Sequence, residues 1–178
     1  MTFKEKYHTE LKKKLMDELK INNPMALPRL VKVVINVGAG EAVSNKNVTE
    51  KIQEQVTLIA GQKAVVTKAR KSVSAFKIRM GQAIGVKVTL RGDQMYHFVQ
   101  KLVTIVIPRL RDFRGIADTT VDQHGNLNLG FTEQTIFPEI EFDKIDKIRG
   151  LQVTVVTTAG SKERGKKLFT LLGVPFKT

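Results

Sequence analysis

The stretch QVTLIAGQKAVVTKARKSVSAFKIRMGQAIGVKVTLRG, from Gln55 to Gly92, decides how the chain is built. It opens on the end of a helix that Gly61 terminates. Lys63–Lys68 then reads as a short strand. Val86–Arg91 reads as another, with Val86, Val88 and Leu90 on one side and Lys87, Thr89 and Arg91 on the other. Between them runs a loop, KARKSVSAFKIRMGQAIG (Lys68–Gly85), with no helical or strand period. The whole stretch carries Lys63, Lys68, Arg70, Lys71, Lys77, Arg79, Lys87 and Arg91 and not one Asp or Glu. Cations packed this way repel each other unless a polyanion neutralises them, and RNA is the commonest polyanion available. Phe76 among them is a platform on which an unpaired base can stack. The alternative is a solvated basic surface with Phe76 tucked into the core.

Working outward toward the N-terminus, Asn47 is placed to cap a helix, with Glu50 three residues on. Val48, Ile52, Val56 and Ile59 give that helix an apolar face. Gly38-Ala39-Gly40 turns the chain after a strand over Arg29–Val37, where Val31, Val33, Ile35 and Val37 alternate with Leu30, Lys32, Val34 and Asn36. Residues 3–20 read as a lysine-rich helix with Leu11, Leu15 and Leu19 in one narrow stripe. A sheet covered by helices on one side keeps its other face open. That face would carry Lys32, Asn36, Lys87, Thr89 and Arg91, polar groups held on rigid strands as an RNA surface requires.

Toward the C-terminus, Asp93 is placed to cap a strongly apolar helix containing Phe98, Val99, Leu102, Val103 and Val106, which Pro108 disturbs. RLRDFRG (Arg109–Gly115) and a turn-rich run lead to a strand through Leu127, Leu129 and Phe131. Pro138–Phe142 reads as extended, with Glu139 and Glu141 facing away from Ile140 and Phe142. Leu151–Thr157 is the last strand, and Ser161 is placed to cap a closing helix whose Leu168, Leu171 and Leu172 point inward. The predicted class is α+β, a mostly antiparallel sheet with helices on one face. The 178 residues are expected to form a single domain, 1–178, with a mobile basic loop at 70–82.

Net charge is +13 and cysteine is absent, so neither disulfides nor cysteine-ligated zinc hold the chain together. No apolar run reaches the roughly 20 residues of a membrane span, and MTFKEKYHTELKKKL has no signal-like apolar core. A cytoplasmic location follows as the expectation. Charge is uneven: Asp112–Asp146 holds eight acids against Arg114 and Lys144, a net of −6 that would repel RNA and attract a basic protein, or merely solvate a loop. His8, His97 and His124 have no metal-ligand spacing, and His97 reads as structural. Gly38-x-Gly40 lacks the third glycine and the downstream acid of a dinucleotide fingerprint. No catalytic residue, metal or cofactor is expected.

PRLVKVVINVGAGEA (Pro28–Ala42), GQKAVVTKARKSVSAFKIRMGQAIGVKVTLRG (Gly61–Gly92), IPRLRDFRG (Ile107–Gly115), GNLNLGFTEQTIFPEIEFDKID (Gly125–Asp146) and VTTAGSKERGKKLFTLLGVPF (Val156–Phe176) resemble the bacterial large-subunit ribosomal protein five family, which binds 5S rRNA. The likeness runs over essentially the whole chain. It implies that 5S rRNA lies on the open face, where Asn36, Gln62 and Thr89 match hydrogen-bonding positions, beside Lys32, Lys63, Lys87 and Arg91. It implies a loop, with Arg70, Lys71, Ser72, Ser74, Phe76, Lys77 and Arg79, that reaches peptidyl-site tRNA. It further implies contact with 23S rRNA and neighbouring large-subunit proteins. A bridge to a small-subunit head protein would run through Arg109, Arg111, Arg114, Glu139, Glu141 and Asp143. The rival classes are a membrane-surface or generic nucleic-acid binder and an RNA-modifying enzyme.

Overall fold

The computed structural model describes residues 3–43, 47–110, 113–141 and 145–177. Strands β1 (Leu30–Gly38), β2 (Val65–Lys68), β3 (Ala83–Leu90), β4 (Leu127–Phe131) and β5 (Leu151–Thr157) form one open antiparallel sheet in the order β2-β3-β1-β5-β4. With helices α1 (Phe3–Lys6), α2 (Lys12–Leu19), α3 (Asn47–Ala60), α4 (Gly92–Lys101) and α5 (Lys162–Leu171), this is the expected α+β fold. The chain divides into two compact units, Met1–Val33 with Arg91–Leu129 and Thr154–Thr178, and Val34–Leu90 with Gly130–Val153.

In the first unit, α1 and α2 are joined by a π-helical turn, Tyr7–Leu11. Tyr7, Leu11 and Leu15 are buried and Leu19 half-buried. A repeat of four residues drifts about 40° per step on an ideal α-helix. The wider π turn takes up that drift and keeps Tyr7 and Leu11 on the core face. The Tyr7 hydroxyl donates to the Pro28 carbonyl at 3.1 Å, fixing the helix against the entry to β1. In α4, Phe98 and Val99 are buried as read, together with Met95 and Tyr96; Leu102 and Val106 follow in a π turn, with Val103 half-buried. A 3-10 turn, Ile107–Arg109, comes next, because Pro108 lacks an N–H and its ring crowds the carbonyl four residues back. Asp93 does not cap α4. The helix begins at Gly92, whose φ of +58° suits glycine, and the Asp93 carboxylate instead accepts a 2.7 Å bond from Lys4 Nζ. Ser161 occupies the cap position of α5 without a side-chain bond, and Leu168, Phe169 and Leu172 are buried while Leu171 is half-buried. The start of α5 lies directly on the Asp122–Asn126 turn, since a Cβ on Gly165 would stand 2.5 Å from Gly125 Cα.

In the second unit, α3 packs on β3 through Ile52, Val56 and Ile59. It starts on Asn47 itself rather than after it. Strand β2 is shorter than read: the Ala64 N–H donates to Thr57 Oγ1 (3.1 Å) and its carbonyl accepts from Gln53 Nε2 (2.7 Å), which holds Ala64 to α3. Strand β3 begins earlier than read, because Ala83 and Gly85 pair with Lys68 and Thr67 across a bulge. Pro138–Phe142 is not extended. Phe137–Ile140 is a turn closed by Ile140 N–H on the Phe137 carbonyl (3.2 Å), with Pro138 at the position where its fixed φ favours a turn; Phe142 lies outside the described residues.

A Cβ on Gly85 would stand 2.9 Å from both Thr67 Oγ1 and the Val37 carbonyl oxygen. Gly85→Ala therefore forces backbone to move, and urea unfolding should show a loss of about 1–3 kcal/mol. An unchanged midpoint would mean that the strands relax freely at that point.

Candidate nucleic-acid interface

The interface in the second unit is set by strand alternation. Ile35, Val37, Val86, Val88 and Leu90 are buried, while Asn36 and Lys87 are exposed and Thr89 is half-buried. Direct pairing places exposed Val65 opposite Lys87. Gln62, in the turn after α3, donates Nε2–H to the Thr89 carbonyl at 3.2 Å, and Lys63 beside it is exposed. This bond joins the turn to β3 and fixes the Gln62 amide, leaving its carbonyl oxygen as an acceptor. The structure thus brings together Asn36, Gln62, Lys63, Lys87 and Thr89. Lys32, half-buried on β1, and Arg91, exposed ahead of α4, belong to the first unit.

The loop after β2 is a hairpin held by its own backbone. Ala69 N–H donates to Gln82 O (2.8 Å) and Gly81 N–H to Ala69 O (2.9 Å). Val73 and Ile78 exchange bonds of 2.9 and 3.1 Å, and Lys77 closes the tip on Ser74 O (3.0 Å) in a left-handed conformation, φ +55°. Ser72 Oγ accepts from the Met80 N–H and Gln82 Oε1 from the Arg79 N–H. Arg70, Lys71, Ser72, Ser74, Lys77 and Arg79 are all exposed. Phe76 is 71% exposed, so the alternative that buried it in the core is ruled out. Periodicity could not reveal the hairpin, because its order comes from main-chain pairing that leaves side chains unpatterned.

The acidic segment proves to be two things. Asp118 pairs with Lys166 (2.6 Å), Glu133 accepts from Thr135 (3.2 Å), and Asp122 accepts from the N–H groups of His124 and Asn126 and from the Asn126 amide. Burial opposes the charge of Asp122, and these bonds outweigh it and hold the carboxyl below its ordinary range. Asp146 takes a two-pronged contact from Arg149, at 2.9 and 3.3 Å, and Arg149 also reaches Glu41 at 3.6 Å. Buried Gln134 closes the same region, donating to Gln55 Oε1 and Lys147 O and accepting the Arg149 N–H. Gln134 and Arg149 escaped the sequence reading, since a glutamine and an arginine in a polar run carry no sign of burial. Glu139 and Glu141 are exposed; Arg109 and Arg114, in the first unit, are exposed too. Arg111 and Asp143 lie outside the described residues. His97, expected as structural, is exposed on α4. Among the described residues no group of His, Asp and Glu could hold a metal, and no helix is long and apolar enough to cross a membrane.

Comparison with known families decides what this arrangement belongs to. The family model described as Ribosomal protein L5 matches residues 23–79, and the model for the C-terminus of the same ribosomal family matches residues 83–176. The chain belongs to the ribosomal protein L5 family. Full-length relatives agree. Large ribosomal subunit protein uL5 of Desulfatibacillum aliphaticivorans is 52% identical over 176 residues, covering 99% of this chain and 98% of the relative. The protein of the same name from Acholeplasma laidlawii is 50% identical over 175 residues (98% and 97%). That of Desulfotalea psychrophila is 51% identical over 174 residues (98% and 97%). In this L5-family chain the two models meet at the basic hairpin, between residues 79 and 83.

The Arg149 contact holds the Asp146 carboxyl down at about 2, against an ordinary 3.8. A depressed carboxyl contributes stability above its unfolded pKa and loses it as pH falls through the folded one. Asp146→Asn should therefore lower stability at pH 7 by about 1 kcal/mol, because the carboxylate is part-exposed and screened. The gap to wild type should narrow as pH falls below about 4 and vanish only below the folded value of about 2, in urea titrations. A gap undiminished at pH 2 would mean the variant acts through packing instead.

Proposed function

We propose that the chain holds 5S rRNA on the open face of its second unit, with Asn36, Gln62 and Thr89 supplying hydrogen bonds and Lys63 and Lys87 supplying charge. Membership of the L5 family makes it a non-enzymatic structural constituent of the large ribosomal subunit, located on ribosomes in the cytoplasm. The observation that carries the RNA reading is a rigid, polar strand face within a stretch of 38 residues that contains eight cations and no acid. Groups held on strands, as with Gln62 clipped to Thr89, lose little freedom when RNA binds. Lys32 and Arg91, in the first unit, are proposed as further RNA contacts, and the remaining basic surface meets 23S rRNA and neighbouring large-subunit proteins.

The hairpin is the proposed contact to peptidyl-site tRNA. Its four exposed cations, Arg70, Lys71, Lys77 and Arg79, suit a sugar-phosphate backbone, and Phe76 offers a stacking face. Few of its side chains are buried, so it moves as a unit in the free protein. Exposed Glu139 and Glu141, with Arg109, Arg111, Arg114 and Asp143, form the proposed bridge to a protein of the small-subunit head. The support is that Glu139 and Glu141 are both exposed acids in a net acidic segment, which suits a basic protein partner.

Asn36→Ala, with its melting temperature unchanged, should bind 5S rRNA on the order of 1–3 kcal/mol more weakly, with no change toward an unrelated RNA of equal length. Filter binding at wild-type affinity would remove Asn36 from the interface. The surfaces should also separate. Deleting residues 73–79 spares 5S rRNA binding and loosens peptidyl-site tRNA, whereas Glu139→Lys with Glu141→Lys spares RNA binding and weakens subunit association in sucrose gradients. The reverse pattern would show the surfaces wrongly assigned.

A further inference from the structure

The first unit contains a cavity of 410 Å³ that the sheet-face interface leaves unused. Its lining includes Tyr7 of the π turn, Lys12 of α2, Arg29 and Leu30 at the entry to β1, and Gly92, Met95 and Tyr96 of α4. Its size falls in the roughly 300–1,000 Å³ range of sites that enclose one small organic group. Leu30, Met95 and Tyr96 are buried and make an apolar, aromatic floor. The rim is cationic: Arg29 is exposed and Lys12 half-buried, and neither is ion-paired among the described residues. No acid lines the cavity. Asp93, next in sequence to the lining residue Gly92, is already paired with Lys4 at 2.7 Å. Arg29 is placed by its backbone, which donates to Thr158 Oγ1 and accepts from the Thr158 N–H, each at 3.0 Å. Burial raises the Tyr96 phenol, and the nearby charges of Lys4 and Arg29 work against that rise.

An apolar aromatic floor under two unpaired cations matches one ligand chemistry, a planar base joined to a phosphate. We propose that this cavity receives a single extruded nucleotide of an RNA strand, its base against Leu30, Met95 and Tyr96 and its flanking phosphates on Lys12 and Arg29. The proposal rests on the reading of the chain as an RNA-binding protein, but it uses a surface separate from Asn36 and Thr89. Stacking on an apolar floor is tolerant of base identity, and α4 gains a contact to RNA that a flat strand face cannot give.

The test uses the full chain, isotope-labelled, with hexaadenylate as the single-stranded probe and free adenosine monophosphate as control. Hexaadenylate should shift the amide resonances of Tyr7, Leu30, Met95 and Tyr96. Lys12→Gln with Arg29→Gln, both changes at the rim and neutral toward folding, should weaken that site about tenfold and reduce its salt slope by about 1.4, the value for two phosphates of a single strand. Asn36→Ala should leave these shifts intact while weakening 5S rRNA binding, so failure of the cavity and failure of the sheet face are told apart. The proposal is overturned by the absence of shifts at those four residues, by shifts that the double variant leaves unaltered, or by a site that answers to free adenosine monophosphate and not to hexaadenylate.

Discussion

A surplus of thirteen positive charges is the constraint under which this chain folds. Side chains that repel one another cannot organise the segment that carries them, so the backbone must. In the hairpin between β2 and β3 the order comes from Ala69–Gln82 and Val73–Ile78 pairing, which is indifferent to the charges outside it. Several of the acids are used inside the fold. Asp146 and Glu41 flank buried Arg149, and Asp118, Asp122 and Lys4–Asp93 tie turns and helix ends. The cations of the second unit's strand face have no such partners nearby in the sequence, and that imbalance is what supports the proposal of a polyanion on this face.

The longer strands of the sheet were legible because they alternate with period two, which the short β2 does not. The runs Leu127-Leu129-Phe131 and Leu151-Val153-Val155 could be bounded to within a residue, and the side of β3 that carries Lys87 and Thr89 followed from the same alternation. The helical core of α4 was legible for the same reason at period 3.6. What failed were assignments that depend on partners far along the chain. Asp93 had the type and place of a cap, but Lys4, 89 residues away, claims it. Pro138–Phe142 alternated like a strand, yet no neighbour was on hand to pair with it, and the proline made a turn.

The candidate site was legible in part. Its exposed cations and Asn36 could be placed from alternation and composition. The Gln62–Thr89 bond, the backbone-built hairpin and the internal pairing of Asp118 and Asp146 could not, because each is a distance between residues that no local pattern encodes. Tyr7 shows the same limit from the core side. The leucine stripe was visible, but the π turn that brings a tyrosine into line with it is a departure from the regular period.

The strand order has a consequence for how the chain comes into being. β1 is central, with β3 on one edge and β5 on the other. The first edge is covered by a strand about fifty residues downstream, so β1, α3, β2 and β3 can assemble while synthesis is still under way. The other edge must wait for Leu151–Thr157, and Arg29 meets Thr158 only across 129 residues. Until the last sixth of the chain has emerged, β1 presents an unpaired row of backbone groups, a long-range closure that is slow and open to mispairing. The polar face that carries Asn36 and Lys87 is therefore the early-forming side of the molecule, and an RNA seated there would hold the sheet together while its far edge is still being made.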